Sequence, residues 1–131
     1  MLRLQTLERI ASPKESSGYL KTLLNAWTTS ARMATLAGFK GFDCCPYCTM
    51  GQDRIEHYAR CPRIGETFAR YGCKHGNHQN FLGLDFEYPD ATLRKHAKLL
   101  CALFNSYHSA LHNRDINAFT LFNNNARNLV G

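Results

Sequence analysis

The residues best able to do chemistry lie in one short stretch, CCPYCTMGQDRIEHYARCP, at positions 44–62. Cys45-Pro46-Tyr47-Cys48 is a C-x2-C pair, and His57 and Cys61 follow it in H-x3-C spacing. A C-x2-C turn sets two thiolates on a tight knuckle whose backbone amides can bond the sulfurs. A His and a Cys four residues apart share one face of a helix, which the sequence predicts from near Asp53. Together the two pairs can close a tetrahedron around zinc, with Zn–S of about 2.3 Å and Zn–N of about 2.0–2.1 Å. Four protein ligands leave no open coordination position, so one structural Zn2+ is expected rather than a hydroxide generator. Cys44 is an alternative to Cys45 through C-x3-C spacing, although the two-residue spacing fits a knuckle better.

The neighbours of the four ligands have expected roles of their own. Gly51 suits the turn between the ligand pairs, where a positive φ is often needed. Asp53 can cap the ligand helix, with Glu56 completing a capping box. Glu56 precedes His57, but without an open metal position its expected work is capping or solvation, not proton transfer. Cys73, His75 and His78 form a second, looser group in C-x-H-x2-H spacing, to which Cys44 or His57 could add a fourth ligand. Histidines in such a polar loop are more often solvated. Cys101 falls on an apolar helical stripe and is expected to be a buried small hydrophobe. His108 and His112 share a helix face without an acidic or Cys partner, so surface charge complementarity at the helix end is expected. No nucleophile elbow, phosphate-binding glycine loop or HExxH helix occurs, and the acidic residues are dispersed. No catalysis is expected.

The whole chain has 131 residues with six Cys and six His, and no apolar run of about 18 residues, so no membrane partner is expected. Arg3, Glu8 and Arg9 interrupt any signal-peptide apolar region, which places the cysteines in a reducing, intracellular compartment. Metal binding is favoured there over disulfides. The net charge is +6, and residues 1–40 carry six basic against two acidic side chains. This excess is compatible with phosphate contacts, with Lys21, Arg32, Lys40, Arg54, Arg60, Arg63 and Arg70 as candidates, although scattered basic residues also serve solubility.

The elements that must position the ligands read as mainly α-helical: a small helical domain with an inserted Cys3His zinc knuckle. Residues 1–18 form an N-terminal arm, broken by Pro13 and Ser16-Ser17. Residues 19–72 form a helix plus the knuckle module: Leu20, Leu23, Leu24, Trp27, Ala31 and Ala34 make one apolar face, with Trp27 expected in the core. Pro62 then opens a short helix to about Tyr71. Residues 73–88 read as a loop with a short extended piece at 81–86. Residues 89–131 form a C-terminal helical pair. Asp90 caps the first, whose stripe is Leu93, Ala97, Leu100, Cys101, Phe104, Tyr107 and Leu111. Asn113 or Asp115 caps the second, which carries Ile116, Phe119 and Phe122 and ends in the tract 123–125.

The knuckle resembles the zinc-binding region that follows the polymerase in non-LTR retrotransposon reverse transcriptases. Cys45, Cys48, Glu56, His57, Cys61 and Pro62 match that pattern, and NAWTTSARM at 25–33 is similar to the helix preceding the knuckle in divergent members. The likeness covers residues 44–62 strongly and 20–43 more weakly. His57 and Cys61 depart from it, being H-x3-C where many members have H-x4-C. The resemblance implies a nucleic-acid-associated module for RNA or DNA, carrying no polymerase chemistry and separated from the catalytic domain. A zinc-stabilised protein-interaction subunit of a ribonucleoprotein assembly is the alternative, with Tyr107, Phe119, Phe122 and the Asn-rich tail of the C-terminal helices meeting a protein partner.

Overall fold

A computed structural model of the chain describes residues 29, 30, 33, 41–83 and 88–131. Among the described residues the regular structure is entirely helical, as the sequence periodicity requires. In chain order the helices are α1 (Ile55–Tyr58), α2 (Pro62–Arg70), α3 (His78–Phe81), α4 (Asp90–His112) and α5 (Ala118–Val130). The arm at 1–18 and all but three residues of the expected helix whose apolar face runs from Leu20 to Ala34, Trp27 included, lie outside the described residues. No described helix is long and apolar enough to cross a membrane.

The α4–α5 pair forms the main packing surface, and α2 lies against α5. On α4 the expected stripe is inside: Leu93, Ala97, Leu100, Cys101 and Tyr107 are buried, while Phe104 and Leu111 are half-buried. Leu99, Ala102 and Leu103 are buried too. This apolar sector is wider than one stripe because α4 is covered on more than one side. On α5, Ala118, Phe122 and Ala126 recur at four-residue steps and form the buried face. The largest buried side chains, Phe68, Phe81, Phe122, Tyr58 and Tyr107, meet in a cluster of rings. Phe68 is at its centre, 5.2 Å from His96, 5.9 Å from Phe81 and 6.3 Å from Phe122, ring centre to ring centre.

Four local expectations are corrected. The last helix starts after Asn117, whose side chain accepts from the Thr120 N–H, not after Asn113 or Asp115. It also runs through the asparagine tract to Val130, because Ala126 and Leu129 continue beyond it the apolar period that Phe122 carries before it. Pro89, not Asp90, is the N-cap of α4; Asp90 sits in the first turn, where the helix dipole favours its charge. Finally, Phe81 ends a helical turn rather than opening an extended piece. Asn77 caps that turn by accepting from the Asn80 N–H, and residues 84–87 lie outside the described set.

Candidate metal centre

Short backbone hydrogen bonds shape the knuckle. The Thr49 N–H donates to the Cys45 carbonyl at 2.9 Å, and the Cys45 N–H donates to the Gly51 carbonyl at 2.7 Å. At the tip, Thr49 takes a left-handed φ of 60°, and the Met50 N–H donates to Cys48 Sγ at 3.4 Å. That last bond is the amide-to-sulfur contact a knuckle provides. The positive φ expected at Gly51 falls on Thr49 instead. Gly51 is needed for space: a Cβ there would lie 2.6 Å from His57 Nε2 and closer still to Nδ1 and Cε1. The turn therefore clears the way for the imidazole.

His57 and Cys61 are not on one continuous helix. His57 lies in α1, the chain turns at Ala59–Arg60, and Cys61 is the N-cap residue of α2. Pro62 at the first position of α2 enforces the break, since its ring cannot continue the preceding helix. The result still delivers both side chains to the cluster. The one ligand atom from each of Cys45, Cys48, His57 and Cys61 lies within 4.8 Å of every other, so the four could hold one metal ion. Cys45 and Cys61 sulfurs are 3.9 Å apart, and His57 Nε2 is 3.2 Å from Cys48 Sγ. Cys45 and Cys61 are fully buried; Cys48 and His57 are half-buried.

Burying two thiols side by side perturbs both. Cys61 is pushed down, chiefly by its hydrogen bond with Cys45; burial opposes the shift, and the amides of Ile64 and Arg63 in the first turn of α2 reinforce it. Cys45 is pushed above the usual thiol range, first by that same bond and then by burial. A cation bound between the two sulfurs takes the place of thiol protons, so binding a metal there releases protons.

What holds the knuckle on the helices is a set of residues to which the sequence assigns other roles or none. Tyr47, inside the C-x2-C turn, is buried between the knuckle and the hairpin, with its ring 5.7 Å from Tyr58 and 6.0 Å from Phe122. Its hydroxyl donates to the Leu103 carbonyl at 3.0 Å and meets Ser106 Oγ at 2.8 Å, while burial pushes its pKa well up. Asp53 is buried and does not cap α1; the N-cap is Arg54, without a side-chain bond. Its carboxylate instead accepts from the hydroxyls of Tyr58 and Tyr107 and from the Ser30 amide at 2.8 Å and hydroxyl at 2.5 Å. Four donors outweigh a single capping bond, and they make a buried charge tolerable. Glu56 is exposed and pairs with Arg54 at 3.2 Å, so the capping box does not form. The only sequence signal for these roles is an aromatic residue between ligating cysteines.

The remaining candidates separate cleanly. Cys44 is half-buried and outside the cluster, so the pair that joins His57 and Cys61 is the C-x2-C pair. Cys73 and His75 do not join any ligand group among the described residues. Cys73 is buried and pushed up to about 11 by that burial, opposed by Lys95. His75 Nε2 donates to the Tyr58 carbonyl at 2.6 Å, and its ring packs on Phe68 at 5.6 Å. Burial lowers its pKa from 6.5. Cys101 is buried as expected. Arg54, Arg60, Arg63 and Arg70 are all exposed, and Arg63 also lies over the Phe119 ring at 5.2 Å. Lys21, Arg32 and Lys40 lie outside the described residues.

Fold and site together define a small helical protein with a closed Cys3His cluster. No protein-family model, curated protein or solved structure matches the chain.

Proposed function

We propose that the four-residue cluster holds a single structural Zn2+ and that the module it stabilises binds RNA or DNA without catalysing a reaction. The observation that carries the metal half is the convergence of four donor atoms within 4.8 Å. Three sulfurs and an imidazole nitrogen are a borderline-soft donor set, which zinc prefers to magnesium or calcium. A tetrahedron with bonds of about 2.3 Å has edges of roughly 3.8 Å, and the Cys45–Cys61 edge is 3.9 Å. When bound, the ion cross-links the knuckle to the start of α2. All four positions are protein ligands, so the ion's work is to hold the fold.

The nucleic-acid half rests on the resemblance to the reverse-transcriptase zinc region and on charge. The net charge is +6. Arg63 and Arg70 are seven residues apart on α2, close to two full turns, and so share one stripe of the helix. Arg60 precedes that helix and is exposed as well. Three guanidinium groups near a rigid knuckle suit a phosphate backbone. Arg54 contributes less, since Glu56 already neutralises it.

The test is a titration of the zinc-loaded chain with single-stranded RNA and with duplex DNA across a salt series. Binding should weaken steeply with salt, and reversing Arg60, Arg63 and Arg70 to Glu should cost at least about tenfold in affinity. Absence of binding at ~50 mM salt, or a triple variant that binds like the parent, would overturn the nucleic-acid half. Metal content is measured separately and decides the other half.

A further inference from the structure

One buried carboxylate stands between the metal site and the chain that precedes the knuckle. Asp53 accepts from donors on three separate stretches of chain. Tyr58 follows the ligand His57, Tyr107 lies on α4, and Ser30 lies 23 positions before Asp53. We infer that Asp53 and Ser30 couple metal binding to the anchoring of this earlier chain. An ion at the Cys3His cluster tightens the attachment of Ser30, and an attached Ser30 raises the affinity for the ion. The inference rests on the reading of the ion as structural and names what regulates that site.

The metal end of the coupling is a closed loop. Cys48 and His57 are nine positions apart, and Asp53 lies between them. An ion bound to both side chains fixes the two ends of that segment. Little else does so. The helix α1 has four residues and no side-chain bond at its N-cap, too short to hold its shape alone. The position of Asp53 relative to Tyr58 therefore depends on ligation of His57.

The other end is a relay through Ser30. Its amide donates to Asp53 Oδ2 at 2.8 Å, and its hydroxyl donates to the same oxygen at 2.5 Å. The hydroxyl oxygen in turn accepts from the Phe42 N–H at 2.6 Å. A hydroxyl that donates to a carboxylate becomes a better acceptor, so these bonds strengthen one another. Phe42 has further holds on the helices that do not involve Asp53. Its ring meets Tyr107 edge-on at 5.5 Å, and the Arg114 guanidinium lies 4.4 Å from its centre. Arg114 also donates to the Gly41 carbonyl at 3.1 Å. Ser30 is thus the more metal-dependent of the two, since two of its bonds end on Asp53 itself.

Burial makes the coupling run both ways. A buried acceptor that loses a donor costs more than the bond itself contributed. Freeing Ser30 leaves the Asp53 carboxylate short of partners inside the loop that the ion closes. Opening the loop takes the acceptor away from Ser30. Coupling between two sites is reciprocal, so each must favour the other by the same factor. The protein-partner expectation is corrected in its residues: Tyr107 and Phe122 are fully buried and cannot meet a partner. The Tyr107 hydroxyl instead donates to Asp53 at 2.7 Å and fastens the relay to α4.

The experiment follows amide hydrogen exchange by NMR on the full 15N-labelled chain, zinc-loaded and zinc-free. Removing zinc should speed exchange at the Ser30 amide at least about tenfold and at the Phe42 amide by less. The amides of Leu100 and Leu103 in α4 should keep their protection. In a chelator competition Ser30→Ala should weaken zinc binding at least about threefold. The same substitution should add nothing when Asp53→Asn is already present, because both cut one link. A Ser30 amide indifferent to zinc, loss of α4 protection along with it, unchanged zinc affinity in Ser30→Ala, or additive effects of the two substitutions would each overturn the proposal. The exchange comparison needs no variant and decides the matter if Asp53→Asn does not fold. A chain that takes up no zinc overturns the structural-ion reading as well; a chain that takes it up without a response at Ser30 overturns the coupling alone.

Discussion

The metal knuckle and the C-terminal hairpin share one core but are ordered by different forces. Residues 44–61 contain a single four-residue helix, a left-handed threonine and a few turn bonds. A helix that short is not stable alone, since nucleation is unfavourable and propagation has barely begun. The hairpin has 23 residues in α4 and 13 in α5, with apolar faces packed along each other. Side-chain burial is its main source of stability. The contrast teaches that metal dependence should be local: strong in the knuckle and weak in the hairpin.

The sharpest way to break that contrast is Cys61→Ser. Structural zinc contributes on the order of 10–16 kcal/mol in isolated finger peptides, so loss of one ligand should release the ion and disorder the knuckle. Far-ultraviolet circular dichroism should retain most of the helical signal, because α4 and α5 persist. A fully unfolded variant would mean that the hairpin depends on the metal as well. The converse substitution is Phe122→Ala, which removes a fully buried ring packed on Phe68 and Tyr47. It should cost about 3–5 kcal/mol in chemical denaturation while the folded protein still carries its metal at unchanged stoichiometry.

A smaller effect probes the joint between the two regions. Tyr107 on α4 donates to Asp53 at 2.7 Å, and Asp53 lies in the turn leading to the His57 helix. Tyr107→Phe removes that donor and leaves a buried carboxylate short of one partner, at a cost of about 1–3 kcal/mol. A chelator competition should show weaker metal retention, since the joint orients the knuckle. Unchanged retention would show the two regions to be independent.

The acid limb carries the smallest expected change. Burial pushes the His75 pKa below its ordinary 6.5, so the folded state favours the neutral ring. The stability this contributes is present above pH 6.5 and is lost as pH falls through the lower folded value. His75→Gln should therefore flatten part of the decline in melting temperature between neutral and mildly acidic pH. The part that remains belongs to the thiolates, which take up protons as the metal leaves.

These two regions were also unequally legible from the amino-acid sequence. The stripe on α4 and the break at Pro62 are readable because apolar spacing and proline chemistry are local. The Cys45–Cys48 half of the cluster is readable for a similar reason, as C-x2-C geometry is decided within a few residues, whereas His57 and Cys61 come from two helices rather than the one their spacing predicts. Asp53 is different. From its neighbours it is an ordinary N-cap, and only the arrival of Tyr107, more than 50 positions away, makes it the buried joint. Tyr47 likewise gains its role from Ser106 and Leu103 on a helix that the knuckle sequence does not foretell. Gly51 was identifiable as necessary, but the reason lay in the path of the His57 ring rather than in its own φ.

The central claim is that Cys45, Cys48, His57 and Cys61 hold one structural zinc ion. X-ray absorption at the zinc edge, on protein purified without chelator and quantified for metal, tests it most directly. The account predicts one zinc per chain with three sulfur neighbours at about 2.3 Å and one nitrogen at about 2.0–2.1 Å. Protein that carries no zinc, or a zinc shell unchanged by Cys45→Ser, would contradict it.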